Sequence, residues 1–193
     1  LLLKRAQINY LSNDYVKATV DYEAYLEKND TLINVRKEYG VCLYLLKKED
    51  QALKMLEPLL YIIPGDPLVA MYVGLCYMKL KDFDNAGSYL QLAAKLAHPG
   101  YLATIYESLG QVYGLTRQFK EAMTMYKKAY ELDDENHELL FEMGTTSEEY
   151  IADKTVAYQY YRQYLEKAGN EALNRAYATQ RMARIKEKLF MGD

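Results

Sequence analysis

The stretch YESLGQVYGLTRQFKEAMTMYKKA, residues 106–129, decides the fold. Tyr106, Leu109, Gly110 and Tyr113 are spaced by three or four residues, which places them on one face of a helix. Phe119, Ala122, Tyr126 and Ala129 repeat that spacing and define a second helix. Gly110 and Ala122 are small enough to let two backbones approach, while the tyrosines and Leu109 fill the space around them. The stretch reads as a helical hairpin.

The same hairpin is written about five times. Ala18, Ala52, Ala86, Ala122 and Ala157 recur at steps of 34, 34, 36 and 35 residues, and Gly40, Gly74, Gly110 and Gly144 run beside them at 34, 36 and 34. Each glycine precedes its alanine by twelve residues, or thirteen in the last case. A period of this size marks a stacked repeat array, in which each unit covers its neighbour's apolar face and no unit is stable alone.

This order of large, small and aromatic positions resembles the tetratricopeptide repeat, a degenerate 34-residue motif. The third repeat matches it through Val73, Gly74, Tyr77, Phe83, Ala86, Leu90 and Ala93. The second matches through Tyr39, Gly40, Leu43, Ala52, Leu56 and a closing Pro64. The first keeps Ala6, Ala18, Tyr22 and Tyr25. The fifth departs most, with Ser147 where an aromatic is usual, Tyr164 where a small residue is usual, and one residue inserted before Ala157. The resemblance implies an all-α fold, a right-handed superhelical array of antiparallel helix pairs. A single domain over 1–193 is expected, with repeats at about 1–32, 33–66, 67–102, 103–136 and 137–171. Ala172, Leu173, Ala176, Tyr177, Ala183, Leu189 and Phe190 then continue a helical apolar stripe, which predicts a capping helix over 172–192 that covers the last repeat.

Turn chemistry marks the boundaries. Asp66 before Pro67 reads as an N-cap followed by a first-turn proline. Asn29, Asp30 and Thr31 lead into the second repeat. His98, Pro99 and Gly100 fall in the longest boundary and predict a slightly protruding loop. Pro58 lies inside a second helix, where the lost backbone hydrogen bond predicts a kink.

Composition narrows the function classes. Half of the 193 residues are apolar and 26% are charged, which fits a globular chain, and no apolar run approaches the roughly 18–20 residues that span a bilayer. The chain begins Leu1-Leu2-Leu3 without an initiator methionine, so a fragment or processed form is expected; a removed signal segment would leave no trace. Localisation stays open between the cytoplasm and, if such a segment was removed, the periplasm or cell envelope. Twenty-one tyrosines and no tryptophan suit half-buried positions where the ring packs and the hydroxyl finds a polar partner. Cys42 and Cys76 are one repeat apart, and adjacent packed helices sit about 8–10 Å apart, too far for a disulfide. Both read as small buried hydrophobes.

Catalytic signals are missing. There is no glycine-rich phosphate loop, no nucleophile elbow and no C-x-x-C pair. His137 and Glu138 begin a zinc-protease pair, but Phe141 stands where the second histidine belongs. The carboxylates from Asp133 to Glu138 lack the central glycine of a calcium loop. No catalytic residue, metal or cofactor is assigned. Residues 131–153 carry nine acidic residues and no lysine or arginine, while 154–193 carry eight basic residues against four acidic. An acidic C-terminal half argues against the basic groove that RNA recognition needs, so no nucleic-acid partner is expected.

What remains is the concave groove lined by the first helix of each repeat. The resemblance assigns to it Gln7 and Tyr10; Asn34, Lys37, Glu38, Val41 and Tyr44; Leu68, Met71, Tyr72, Leu75 and Met78; Thr104, Glu107, Ser108 and Gln111; and Glu138, Glu142 and Thr145. Leu68, Met71, Leu75 and Met78 form a soft apolar strip there, either open to a partner or buried by a neighbouring repeat. Glu107, Glu138 and Glu142 give the groove an acidic end. The lysine, asparagine and arginine clamp of one subtype is absent, since Leu68, Tyr72, Thr104 and Ser108 stand at its positions in the third and fourth repeats. The expected function is a non-catalytic scaffold that binds a protein or peptide in the groove. The alternative is self-association, through the strip or the open N-terminal face, of an assembly or signalling subunit whose missing N-terminal region carries an anchor or another domain.

Overall fold

The computed structural model describes residues 1–29 and 32–191, with side chains through Leu189. Asp30, Thr31, the Phe190 side chain and Gly192, all part of the expectations above, lie outside what is described. Among the described residues there are eleven helices and no strand: α1 (Leu2–Leu11), α2 (Tyr15–Leu26), α3 (Ile33–Leu45), α4 (Glu49–Ile62), α5 (Pro67–Lys79), α6 (Phe83–Leu96), α7 (Pro99–Leu115), α8 (Phe119–Leu132), α9 (Glu138–Tyr150), α10 (Lys154–Lys167) and α11 (Arg175–Met191). The chain forms two compact units. Leu1–His98 holds α1 to α6, and Pro99–Asp193 holds α7 to α11.

Each odd-numbered helix from α1 to α9 packs against the even-numbered helix that follows it. Four of the five turns between them share one device. Asn13, Lys47, Lys81 and Arg117 adopt φ of 59°, 60°, 64° and 62°, and the residue after each reaches back five positions, as the Asp82 N–H does to the Tyr77 carbonyl at 2.9 Å. This left-handed cap satisfies carbonyls that the helix end leaves open. Seven residues after Gly144 the corresponding position is Ile151, and a β-branched side chain is strained in that region. Ile151 is instead extended (φ −93°, ψ 126°), and the inserted residue of the fifth repeat is taken up at the end of α9, which runs to Tyr150, while the turn keeps the length of the other four.

The Asp66 carboxylate accepts from the Leu68 and Val69 N–H groups at 2.9 and 3.2 Å, with Pro67 in the first turn, as the dipeptide predicts. Pro99 and Gly100 correct the expected loop. They open α7, so the two extra residues lengthen a helix, and proline suits a first turn because its missing N–H would be unpaired there anyway. Helix α4 runs through Pro58 to Ile62, with Pro58 itself exposed to solvent.

Two glycines show why the motif needs them. A Cβ on Gly74 would lie 2.8 Å from Leu90 Cγ, 3.1 Å from the Leu90 nitrogen and 3.2 Å from the Ala86 carbonyl oxygen. One on Gly110 would lie 2.5 Å from the Tyr126 ring. The five periodic alanines are fully buried. In the N-terminal unit, Ala18 and Tyr22 of α2 close on Val35 and Cys42 of α3, and Leu53, Leu56 and Leu59 of α4 close on Val69, Val73 and Cys76 of α5. Both cysteines are free thiols, and burial pushes each up to about 12. The C-terminal core gathers Met123, Tyr126, Leu139, Met143, Tyr161 and Tyr164.

The terminal helix packs by a different face from the one expected. Ala178 and Ile185 are buried, with Arg181 and Met182 half-buried beside them. Ala176, Tyr177, Ala183 and Leu189 are exposed, and Leu173, before the helix starts, is 91% exposed. The apolar residues alone misplace the stripe because an ion pair anchors this helix. Arg181 Nε donates to Glu148 Oε2 on α9 at 3.0 Å, and its Nη2 pairs with Oε1.

Candidate protein-binding surface

In the N-terminal unit, α3 and α5 carry the expected groove residues, and several of them serve the fold. Asn34 is exposed. Lys37 donates from Nζ to Asp66 Oδ2 at 2.8 Å, tying α3 to the cap of α5. Burial alone would raise the Asp66 carboxyl, but Lys37 and the Val69 and Leu68 N–H groups outweigh it and hold it below its usual value. The Tyr44 and Tyr72 rings meet edge to face at 5.3 Å. Met71 and Leu75 are only 5% and 8% exposed. The apolar strip open to a partner therefore loses its two central members, and Leu68 and Met78 remain as half-buried residues.

In the C-terminal unit, Glu107, Glu138 and Glu142 each meet an internal donor. Asn136 Nδ2 donates to Glu107 at 3.2 Å. Tyr164 Oη and Asn174 Nδ2 both donate to Glu138 at 2.7 Å, so this carboxylate fastens the segment leading into α11. Glu142 takes the Tyr126 hydroxyl. Burial raises the Glu142 carboxyl first, and the nearby Glu107 and Glu138 charges add to the rise; burial likewise raises Glu107, against the Asn136 bond. The acidic end thus holds partly buried carboxylates that take neutral donors.

The sequence contained the signal for this. Glu142 follows Tyr126 by sixteen residues, and Glu38 follows Tyr22 by the same interval, with Tyr22 Oη donating to Glu38 at 2.6 Å. Where leucine replaces that tyrosine, at Leu56 and Leu90, the corresponding later residues are Tyr72 and Ser108. The carboxylate accompanies the hydroxyl that needs an acceptor, since a buried hydroxyl without one is costly.

The departures of the fifth repeat follow the same logic. Tyr164, at the small position, is fully buried; it donates to Glu138, accepts the Asn174 N–H at 3.3 Å and packs on Phe141 at 5.6 Å. Ser147, at the aromatic position, lies 3.7 Å from Met123 Sδ. Tyr161 Oη donates to Glu148 at 3.0 Å, which also holds Arg181.

On the first-helix surfaces of the C-terminal unit, α7, α8 and α9 form a recess of about 540 Å³. Gln111, Arg117, Phe119, Thr145 and Glu149 line it, with Tyr126 and Glu142 behind. Gln111 and Glu142 are among the residues expected from the motif's register, as is Thr145. Arg117, Phe119 and Glu149 were not, because they reach the recess from a turn, a second helix and a helix end. Among the described residues no cluster of three or more histidine, cysteine, aspartate or glutamate side chains could hold a metal ion, and no helix is long and apolar enough to cross a membrane.

Comparison with known proteins agrees with this geometry. Residues 67–135 match the tetratricopeptide repeat family model. BBSome complex member BBS4 of Bos taurus is 32% identical over 108 residues, covering 56% of this chain and 20% of that protein. The Mus musculus protein of the same name is 31% identical over the same length. The chain therefore spans about a fifth of the length of the curated relatives it matches. Among solved structures, one of MamA superposes with a TM-score of 0.75 at 18% identity over 84% of this chain and 93% of that one. MamA 41-end from Desulfovibrio magneticus RS-1 gives 0.75 at 17% identity over 86% and 92%. At that identity the likeness is one of fold. Periodic glycines under large side chains, the capped turns and the match over residues 67–135 lead to one conclusion: the chain is an all-α array that contains tetratricopeptide repeats, a fold that serves in general as a scaffold for protein–protein interaction.

Proposed function

We propose that this chain is a non-catalytic protein-binding scaffold that takes a segment of its partner on the first-helix surfaces, with the recess beside Thr145 and Gln111 as the principal contact in the C-terminal unit. The observation that carries this reading is the lining of that recess. Gln111, Thr145, Arg117 and Glu149 offer both donors and acceptors beside the Phe119 ring, a mixture that suits a peptide with one apolar side chain and polar backbone groups. Arg117 and Glu149 approach each other only to 4.0 Å and are largely exposed, so water already screens them and a partner can engage either.

The test is capture from the native source with wild type and with Thr145→Arg, which fills the recess. Thr145 is half-buried and its hydroxyl donates to the Glu142 carbonyl of its own helix at 3.0 Å, so the variant is expected to keep the wild-type melting temperature. At least one partner should be lost. Retention of every partner at equal strength would place binding on another surface.

A further inference from the structure

The recess of the C-terminal unit has a counterpart in the N-terminal unit that aromatic rings occupy. Seventy residues before Gly114, Glu142, Thr145 and Glu149 stand Tyr44, Tyr72, Leu75 and Lys79 on α3 and α5. There the Tyr44 and Tyr72 rings meet edge to face at 5.3 Å from one helix to the other, and Leu75 is nearly enclosed. In the recess, Gly114 removes the first ring and Glu142 replaces the second, and the space stays open. That opening does not depend on where the chain starts or stops, because α7, α8 and α9 supply all its walls.

Packing does not require the second glycine of α7. A Cβ on Gly110 would press into the Tyr126 ring, but the nearest atom to one on Gly114 is Tyr126 Oη at 3.8 Å, an ordinary separation. The left-handed cap falls at Arg117, so the turn does not require Gly114 either. Glycine inside a helix costs stability relative to alanine, and its effect here is to admit a side chain from outside. The charges reverse as well. Lys47 and Lys79 against Glu49 stand at the N-terminal counterpart, whereas Arg117 against Glu142 and Glu149 lines the recess. Glu142 takes a neutral donor, the Tyr126 hydroxyl, and the charges acting on it, Glu107 and Glu138, are of its own sign. Glu149 is 60% exposed and meets Arg117 only at 4.0 Å.

We infer that the partner segment proposed above places an arginine side chain in the space that Gly114 leaves open, its guanidinium against the carboxylates of Glu142 and Glu149. This rests on the reading that the recess takes a partner. Shape and charge together select the residue. The space corresponds to that of the Tyr44 ring, which a flat guanidinium matches, and its forked donors suit two carboxylates. The Phe119 and Tyr126 rings offer faces on which it stacks. A lysine ammonium is compact and more strongly hydrated, and fills the same space less well.

The probes are blocked pentapeptides with alanine at every position but the central one, which carries arginine, citrulline or lysine, titrated against the 193-residue chain by ligand-detected NMR. The arginine peptide should bind more tightly than its neutral isostere by about fivefold or more, and more tightly than the lysine peptide. Gly114→Tyr, which restores the ring of Tyr44, should abolish binding, and Gly114→Ala should keep it. Glu142→Gln still accepts the Tyr126 hydroxyl but carries no charge; it should weaken the arginine peptide by about threefold or more and leave the citrulline peptide unchanged. This variant decides the matter if Gly114→Tyr melts early. Equal binding of arginine and citrulline, binding by none of the peptides, or retention of binding by a folded Gly114→Tyr chain overturns the inference. If Thr145→Arg loses a captured partner while arginine and citrulline bind alike, the arginine alone is overturned; if it keeps every partner, the reading beneath falls too. Should the arginine peptide bind this chain but not the protein isolated from its native source, the seat belongs to another stretch of that protein, and the inference is overturned equally.

Discussion

The second and third repeats close their hairpins with leucine over glycine, Leu56 on Gly40 and Leu90 on Gly74, whereas the fourth and fifth use tyrosine, Tyr126 on Gly110 and Tyr161 on Gly144. The leucines need nothing further. Each tyrosine brings a hydroxyl into a dry contact and with it a carboxylate, Glu142 for Tyr126 and Glu148 for Tyr161. A choice of core side chain therefore decides where part of the acidic charge of the C-terminal unit falls. The two regions also hold carboxylates in opposite ways: Asp66 faces an ammonium and sits below its usual value, while burial and like charges lift Glu107 and Glu142 above theirs.

The sharpest break of the leucine-type closure is Gly74→Leu. Side chain and backbone both block a Cβ there, so unfolding should show a loss of roughly 3 kcal/mol or more, the upper end for overpacking. For the tyrosine type, Tyr126→Leu strips Glu142 of its donor and should cost about 1–3 kcal/mol. Adding Glu142→Ser, which imports the Leu90 and Ser108 combination, should recover most of that loss in a double-mutant cycle; additive losses would separate the carboxylate from the tyrosine. The smallest effect is on pH dependence. Between the ordinary carboxylate value near 4.3 and the raised folded values, the folded C-terminal unit binds more protons than the unfolded chain, so its stability falls as pH rises through that window. Glu142→Gln should flatten this slope and add roughly a few tenths of a kcal/mol at pH 7. Asp66 acts with the opposite sign, contributing stability above about 3.9 that is lost as pH falls through its lowered folded value. Amide exchange in α9 from about pH 4 to 7 and in α5 from about pH 2 to 5 resolves the two.

The hairpins, their register and the Asp66 cap were legible because backbone approach demands small residues at fixed intervals, and a period repeated five times outweighs any one substitution. The groove was less legible. Its positions follow from register, but register does not say which side chains neighbouring helices cover, and Met71 and Leu75 are nearly enclosed. Met71→Glu is therefore expected to unfold its surroundings before it reports on binding. Glu138 and Glu142 looked like an acidic groove end because their donors, Tyr164, Asn174 and Tyr126, lie 16 to 36 residues away, and only the Tyr22 and Glu38 pair, compared repeat by repeat, points to them. The packing face of α11 was hidden for a related reason, since Arg181 anchors it by charge and apolar periodicity does not register a charge.

A photo-crosslinking side chain at Thr145, in the recess of α7, α8 and α9, against one at Thr124, exposed on α8, tests the central claim most directly. In extract from the native source, crosslinked protein adducts should form from position 145 and not from 124. Adducts from 124 alone, or equally from both, would contradict binding on the first-helix surface.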